Sequence, residues 1–435
     1  MVGRVGLVLV CVLVCFSGSS LLAQEQGGGL SANNMPLSAA SFGFDCVYNT
    51  SCGATWDGGY WISTTSQPGL VRLWESGTTW ADLETGNNSF DWSHLDTWLD
   101  MVAENQPRAI MYTFGRVPCF IINQGLGNNN CEHTKPEPSS AAPPRDLTGS
   151  GSPTFNAFVR ALVHHCSPAG HCVKDYIQYW ELWNEANIPA FWLGTPIQLY
   201  NMMKPAVKII RENIPNAMVT TPPVCGSEEL WMEYWLNLEN TYGRLSDIYD
   251  FHLYMLDSEP EERISYIEKM VDAKNKQGWT TTPWMNGETN WDNLTFQCSS
   301  NYSQDDCNGQ VVRWFVMQYA YQGGGGGAVQ IGWFNWPSMT NYDPYYYTMM
   351  QWLVGSTFTV SCSTSGNVWT CPVTESNGVS ALIVWNGKGH AHYRPADQYV
   401  DYKEMDGTYG GQTVQISPGQ TTTIGYIPIM FESAP

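Results

Sequence analysis

At 435 residues the chain exceeds one ordinary domain, and a (β/α)8 barrel of ~250 residues with a small partner would fill it. An apolar share of 43% is enough for a sizeable core, while the formal net charge of −20 argues against nucleic acid or an anionic membrane surface as partner. Charged residues make up only 14% of the chain, against 20 Trp, 23 Tyr and 15 Phe; that balance suits stacking on flat neutral ligands such as sugar rings, as well as core packing.

The chain opens like an export signal. Arg4 supplies the positive charge, residues 6–16 an apolar run, and Leu21-Leu22-Ala23 a small residue for cleavage before Gln24. That run is shorter than the ~20 apolar residues of a membrane span, and no later stretch is long and apolar enough. Residues 1–23 are therefore expected to be removed, leaving a secreted or periplasmic protein with no membrane attachment. Cysteine usage agrees. Of 13 Cys, Cys11 and Cys15 fall in the signal, and ten of the others form near neighbours: Cys46/Cys52, Cys119/Cys131, Cys166/Cys172, Cys298/Cys307 and Cys362/Cys371. Such short loops read as disulfide staples in an oxidising compartment, with Cys225 left as a buried thiol. The run His164-His165-Cys166 followed by His171-Cys172 resembles a metal cluster. Oxidised cysteines cannot serve as thiolate ligands, however, so neither a metal nor any other cofactor is expected.

After a Gly-, Ser- and Asn-rich lead-in over residues 24–40, an alternation begins. Candidate strands are 41–47, 70–74, 109–114, 177–184, 217–221, 248–254, 283–288 and 328–336. Helical patterns sit between most of them. Ser152-Pro153 and Thr195-Pro196 are helix starts, and 228–238, 261–276, 309–321 and 345–353 carry further helices. Strands alternating with helices mean βα units around a parallel sheet, and eight of them suggest a closed (β/α)8 TIM barrel over residues 41–356. The long segment 121–151 reads as a cleft wall, and the glycine run 323–327 as a flexible connection. That run lacks the Gly-Lys-Ser/Thr ending of a phosphate loop. From residue 357 to 435 the texture becomes short and β-like, with strands over 367–373, 380–385, 398–405, 413–416 and 421–427, which suggests a small C-terminal β-sandwich.

Two stretches stand out within this rhythm. The fourth strand runs into Trp183-Asn184-Glu185, and the seventh into Asn286-Gly287-Glu288. A carboxylate at a buried strand end is costly unless bonded, paired or used. Two glutamates on two strand ends of one barrel are what retaining glycoside hydrolysis needs, as acid/base and nucleophile. Glu181 also lies in the fourth strand, but four residues earlier it should sit in the barrel interior, whereas active sites of this fold lie at the C-terminal rim.

The stretch Val71-Arg72-Leu73-Trp74-Glu75-Ser76-Gly77-Thr78-Thr79-Trp80, with Phe90-Asp91-Trp92 and Leu95-Asp96, Tyr112-Thr113-Phe114-Gly115-Arg116-Val117-Pro118 and Trp183-Asn184-Glu185, resembles clan A glycoside hydrolases, closest to family 39 and its bacterial relatives. The resemblance spans residues 40 to 356 and implies a retaining mechanism, a (β/α)8 barrel and an accessory β-domain. It makes Glu185 the general acid/base and Glu288 the nucleophile. Asn184 would bond the sugar 2-hydroxyl, and Arg72 would pair with the nucleophile's carboxylate. His252 and Tyr254 on the sixth strand would line the same face, and Trp336, or alternatively Trp333, would be the stacking floor. Ala186 stands where the clan commonly has Pro. The expected partner is a polysaccharide or oligosaccharide. Two other readings remain open, a non-catalytic carbohydrate-binding protein on the same scaffold and a transglycosylase that shares the covalent intermediate. Keeping Glu185, Glu288, Asn184 and Arg72 together favours hydrolysis.

Overall fold

The structure, a computed structural model, describes residues 36–45, 68–74, 76–104, 109–122, 139–291, 297–323, 326–334 and 342–434. The expected signal, the Cys46/Cys52 pair, Cys131, most of the segment 121–151 and Trp336 lie outside the described residues.

All eight expected barrel strands are present: β1 Phe42–Asp45, β2 Leu70–Leu73, β3 Ala109–Thr113, β4 Ile177–Glu181, β5 Met218–Thr220, β6 Tyr249–His252, β7 Trp284–Thr289 and β8 Ala328–Trp333. They form one parallel sheet in the order β6-β7-β8-β1-β2-β3-β4-β5. Parallel bridges Thr220↔Ile248 and Cys225↔His252 join β5 to β6 and close the cylinder. β1, β2, β3, β6 and β7 are buried at every residue, as expected of strands covered on both faces.

The longer helices are α1 Ser93–Glu104, α2 Pro153–Val163, α3 Pro196–Asn213, α4 Glu229–Tyr242, α5 Pro260–Lys276, α6 Gln304–Ala320 and α7 Asp343–Leu353. Sequence chemistry sets two of the starts. Ser152 accepts from the Phe155 N–H with Pro153 in the first turn, and Thr195 forms a reciprocal box with Gln198 ahead of Pro196. Helix α1 was absent from the expected set, although its buried Leu95, Trp98, Leu99 and Val102 carry helical spacing.

The C-terminal strands are β9 Ser363–Ser365, β10 Val368–Thr374, β11 Ser380–Asn386, β12 Ala391–Tyr393, β13 Tyr399–Glu404, β14 Gln412–Gln415, β15 Thr422–Ile424 and β16 Ile429–Ser433. An antiparallel sheet β9-β10-β11-β16-β13-β14 packs with a two-stranded antiparallel pair, β12·β15. Val384, Ile424, Ile429 and Phe431 form a small core of their own within this β-sandwich. β16, which the sequence did not suggest, sits centrally between β11 and β13.

The other face of that sheet belongs to the barrel's core. Phe358, Val373, Ile383, Trp385 and Met430 share one apolar cluster with Trp314 and Phe315 of α6. Lying between barrel and sheet, α6 is buried from Asp306 through Ala320. Gly309 makes the fit possible, since a Cβ there would come within 2.2 Å of the Tyr426 carbonyl oxygen. At this junction Arg313, fully buried, bonds Asp306 at 2.5 Å, Glu259 at 2.9 Å and Glu261 at 3.0 Å. The indole of Trp385 in β11 donates to Glu261 at 2.5 Å.

Disulfides Cys166–Cys172, Cys298–Cys307 and Cys362–Cys371 are formed as expected. One expectation is corrected: Cys225 is not a free thiol. Both Cys225 and Cys119 are disulfide-bonded. Short-range pairing is a rule about neighbours in sequence, and Cys225 sits at the barrel rim, where distant loops converge. With Cys166 and Cys172 oxidised, His165 bonds Asp96 at 2.6 Å and His171 bonds Asp100 at 2.8 Å.

Two outcomes follow from the junction. Ending the chain after Ser356 strips the cover from α6 and should give insoluble protein or a sharply lowered melting temperature; a soluble barrel with unchanged melting would contradict the shared core. Burial pushes the Glu259 carboxyl up to about 7 against the opposing pull of Arg313. The folded state then holds a proton that the unfolded chain releases near its ordinary ~4.3. That contribution is complete below the unfolded value and is lost as pH rises through about 7. Glu259→Gln should flatten the fall in melting temperature across this window in a pH series.

Candidate active site

Two of the expected residues, Asn184 and Glu185, come from one strand end. β4 stops at Glu181, after which Trp183 and Glu185 take positive φ, 116° and 38°. Such backbone costs on the order of 1–3 kcal/mol for a non-glycine residue and survives only where the surroundings enforce it. Here the Trp183 indole donates to the Phe191 carbonyl at 3.0 Å and packs edge-on against Trp192. Strict alternation would send one of two successive residues outward. The irregular backbone lets both Asn184 and Glu185 reach partners inside the barrel, as Glu181 does.

A second irregularity delivers the other glutamate. Across β6 and β7 the register runs Phe251↔Asn286 and then His252↔Glu288, so Gly287 is an extra, bulged residue. Asn286 reaches Gln318 of α6 at 2.9 Å and the Leu253 backbone at 2.9 and 3.1 Å. Glu288, two residues on, meets Arg72, His252 and Tyr254. Gly287 donates its N–H to Asp250 at 3.0 Å, and a Cβ at that position would sit 2.8 Å from both Asp250 oxygens. Only glycine fits.

Arg72, fully buried at the end of β2, joins these pieces. Its Nε donates to Glu181 Oε2 at 2.7 Å; Nη1 donates to Asp45 at 2.8 Å and Glu288 at 2.7 Å; Nη2 donates to Glu181 Oε1 and Asn184 Oδ1, both at 2.7 Å. All five guanidinium donors are used. Because arginine only donates, the Asn184 oxygen must face it, and what Asn184 has left for a ligand is its NH2 group.

His252 Nδ1 lies 3.0 Å from Glu185 Oε1 and 3.6 Å from Glu288 Oε2. Glu185, His252 and Glu288 each bring one polar atom to within 4.8 Å of the others. The Tyr254 hydroxyl donates to Glu288 Oε1. Burial and the nearby Arg72 hold the His252 imidazole well below its ordinary value, so it is neutral. Burial and the Glu288 and Glu185 charges hold the Tyr254 hydroxyl well above its own, so it stays a donor. Burial raises Asp45, Glu181 and Asp250 as well, despite Arg72. A second group, Glu181, Asp250 and His252, also comes within 4.8 Å. Both clusters have a metal-like donor set, yet each already holds a cation, since Arg72 bonds Glu181 and Glu288.

The structure therefore brings Arg72, Asn184, Glu185, His252, Tyr254 and Glu288 into one connected network. Trp333 is a correction: it has no exposed surface and is packed against Trp291 and Phe315 in the core, so it offers a ligand no stacking face. Trp336 lies outside the described residues. Sequence reasoning passed over Asp45 and Asp250, although Asp250 stands two residues before His252 and so on the same strand face. It also missed an aromatic rim beside the site, where Trp74, Phe191, Tyr254 and Phe334 pack with Ile188 and Cys225 apart from the main core.

No protein-family model matches the chain. Solved structures do. A glucosidase from Croceicoccus marinus aligns at TM-score 0.59 and 12% identity over 93% of this chain and 98% of its own. A family 39 glycoside hydrolase from the gut symbiont Bacteroides cellulosilyticus WH2 aligns at TM-score 0.60 and 14% identity, over 91% of this chain and 81% of its own. A family 30 subfamily 8 xylanase from Clostridium acetobutylicum aligns at 0.61 and 13%, over 93% and 98%. The fold is that of these glycoside hydrolases. The likeness covers the C-terminal β-sandwich as well as the barrel.

Arg72→Met should remove the only cation bonded to this carboxyl set among the described residues. It should lower unfolding free energy by roughly 3–5 kcal/mol in a denaturant titration, because buried carboxyls lose their partner. Arg72→Lys, with three donors in place of five, should recover only part of that loss.

Proposed function

We propose that the protein is an exported retaining glycoside hydrolase that cleaves O-glycosidic bonds in a polysaccharide or oligosaccharide. The observation that carries this reading is the approach of the Glu185 and Glu288 oxygens to within 4.8 Å of each other. Carboxyl groups ~5–5.5 Å apart leave no room for a water between them, whereas inverting enzymes need ~6.5–9.5 Å. The shared fold with glycoside hydrolases supports the same reading, as do the disulfides for export.

Glu288 is the nucleophile. Arg72 and Tyr254 each donate to one of its oxygens, which favours the ionised form. One of those oxygens attacks the anomeric carbon as the bond to the leaving oxygen breaks, and Glu185 gives its proton to that oxygen. In the second step Glu185, now a carboxylate, takes a proton from water while the water oxygen displaces Glu288, and the anomeric configuration is restored. The Asn184 NH2 donates to a hydroxyl of the bound sugar.

Glu288→Ala should abolish turnover without unfolding the protein. Glu185→Ala should lose ~10²–10⁴-fold on natural glycosides yet keep its first step on substrates with good leaving groups, and azide should restore turnover. Product NMR should report a retained anomer. An inverted anomer, or a Glu185→Ala protein with full activity, overturns the assignment. Product analysis with an added sugar acceptor distinguishes transglycosylation from hydrolysis.

A further inference from the structure

Among the buried polar atoms with no hydrogen-bonding partner among the described residues are Asp250 Oδ2 and His252 Nε2. They belong to residues two apart on β6, hence on the same face of the strand. A carboxylate oxygen of Asp250, a ring nitrogen of His252 and a carboxylate oxygen of Glu181 lie within 4.8 Å of one another. Leaving a buried polar group unmet costs ~1–3 kcal/mol, so two side by side call for a shared explanation.

We propose that Asp250 is a positioning residue which, as a neutral acid, donates toward His252 Nε2 and so fixes the imidazole tautomer that meets Glu185. The inference rests on Glu185 being the acid/base, and the geometry leads to it by elimination. On the outward side, His252 Nδ1 is near two carboxylate oxygens, Glu185 Oε1 at 3.0 Å and Glu288 Oε2 at 3.6 Å. A nitrogen between two acceptors carries the proton. In a neutral ring Nε2 is then an acceptor and needs a donor.

The nearby candidates are few. Both oxygens of Glu181 accept from Arg72. Asp250 Oδ1 accepts the Gly287 N–H at 3.0 Å, so a proton on Asp250 must sit on Oδ2. Since the two residues do not bond each other directly, a span of 4.8 Å or less between their ligand atoms is bridged through one water. The charged and titratable groups facing this pair are Arg72, Asp45, Glu181, Glu185, Glu288, Tyr249 and Tyr254. Burial and Glu181 favour the neutral acid, with Arg72 opposing. The backbone on which Asp250 sits is itself pinned, its N–H donating to Thr221 Oγ1 at 2.9 Å.

For the reaction the consequence is directional. With Nδ1–H always donating to Glu185 Oε1, that oxygen is an acceptor in both protonation states. The proton Glu185 gives and regains is then confined to Oε2, and no proton moves along the chain from Asp250. Gly287 serves both ends of the site: its bulge aims Glu288, and its N–H orients Asp250.

The test uses 15N-histidine-labelled full-length protein, with His252 identified by its absence in His252→Gln. Its ring nitrogen shifts are read in wild type, Asp250→Asn and Asp250→Leu. Asparagine keeps a donor for Nε2 and an oxygen for Gly287, so Asp250→Asn should retain the Nδ1–H tautomer and near-wild-type kcat/KM. Asp250→Leu should mix the tautomers. On glycosides with poor leaving groups it should lose roughly tenfold or more in kcat/KM, a fraction of the ~10²–10⁴ from general acid catalysis. It should change activated aryl glycosides little. An Nε2–H tautomer in the wild type, or an Asp250→Asn protein as impaired as Asp250→Leu, overturns the proposal. Should Asp250→Leu not fold, wild type and Asp250→Asn still decide. The tautomer is read without substrate, so its failure is distinct from failure of the glycosidase reading, which appears as full activity in Glu185→Ala.

Discussion

A guanidinium presents five N–H donors in one plane, and Arg72 has an acceptor on each of them. The acceptors come from β1, β4, the segment after β4, and β7. One rigid fork therefore sets the positions of Asp45, Glu181, Asn184 and Glu288 relative to one another. The cost is charge. Several carboxyls share that single cation among the described residues, and burial raises the proton affinity of Asp45, Glu181 and Asp250. A buried ionic group of this kind adds little net stability but is severe to break. Its value lies in geometry, since every acceptor must be placed before the arginine is satisfied.

Regular strands could not supply those acceptors. Asn184 and Glu185 reach inward in succession only because Trp183 and Glu185 leave the normal backbone regions. Glu288 is turned to the site, away from the Asn286 side, only because Gly287 bulges. Both irregularities are held by close packing, the first through the Trp183 indole and the second through the Asp250 carboxylate against the glycine. Strain and bulges at the ends of barrel strands are where this protein departs from a simple pattern, and they are where its chemistry sits.

The C-terminal sheet contributes at a distance. It covers α6, whose Gln318 bonds Asn286 and whose Trp314 indole donates to Thr289 at 2.8 Å, both within β7. The strand that carries Glu288 is thus backed by a helix that is buried only when the C-terminal strands are in place. Arg313 and its three carboxylates stitch this junction with buried charge, repeating on the outside of the barrel the device that Arg72 uses within it.

The alternation of apolar strands and amphipathic helices was enough to number the eight barrel strands and to put Glu185 and Glu288 at one rim, while Arg72, His252 and Tyr254 entered through the resemblance to clan A glycoside hydrolases. Those features are local and periodic, so they survive in a single sequence. Helix α1 was legible in its spacing but not recognised. β16 was hidden because its neighbours in the sheet, β11 and β13, lie far along the chain. Tertiary structure decided the rest. Asp45 and Asp250 gain meaning only from Arg72, Gly287 and His252 across the barrel, and Trp333 is a core residue only because Phe315 and Trp291 close over it. These are relations between residues distant in sequence, set by closure of the cylinder, and no local propensity encodes them.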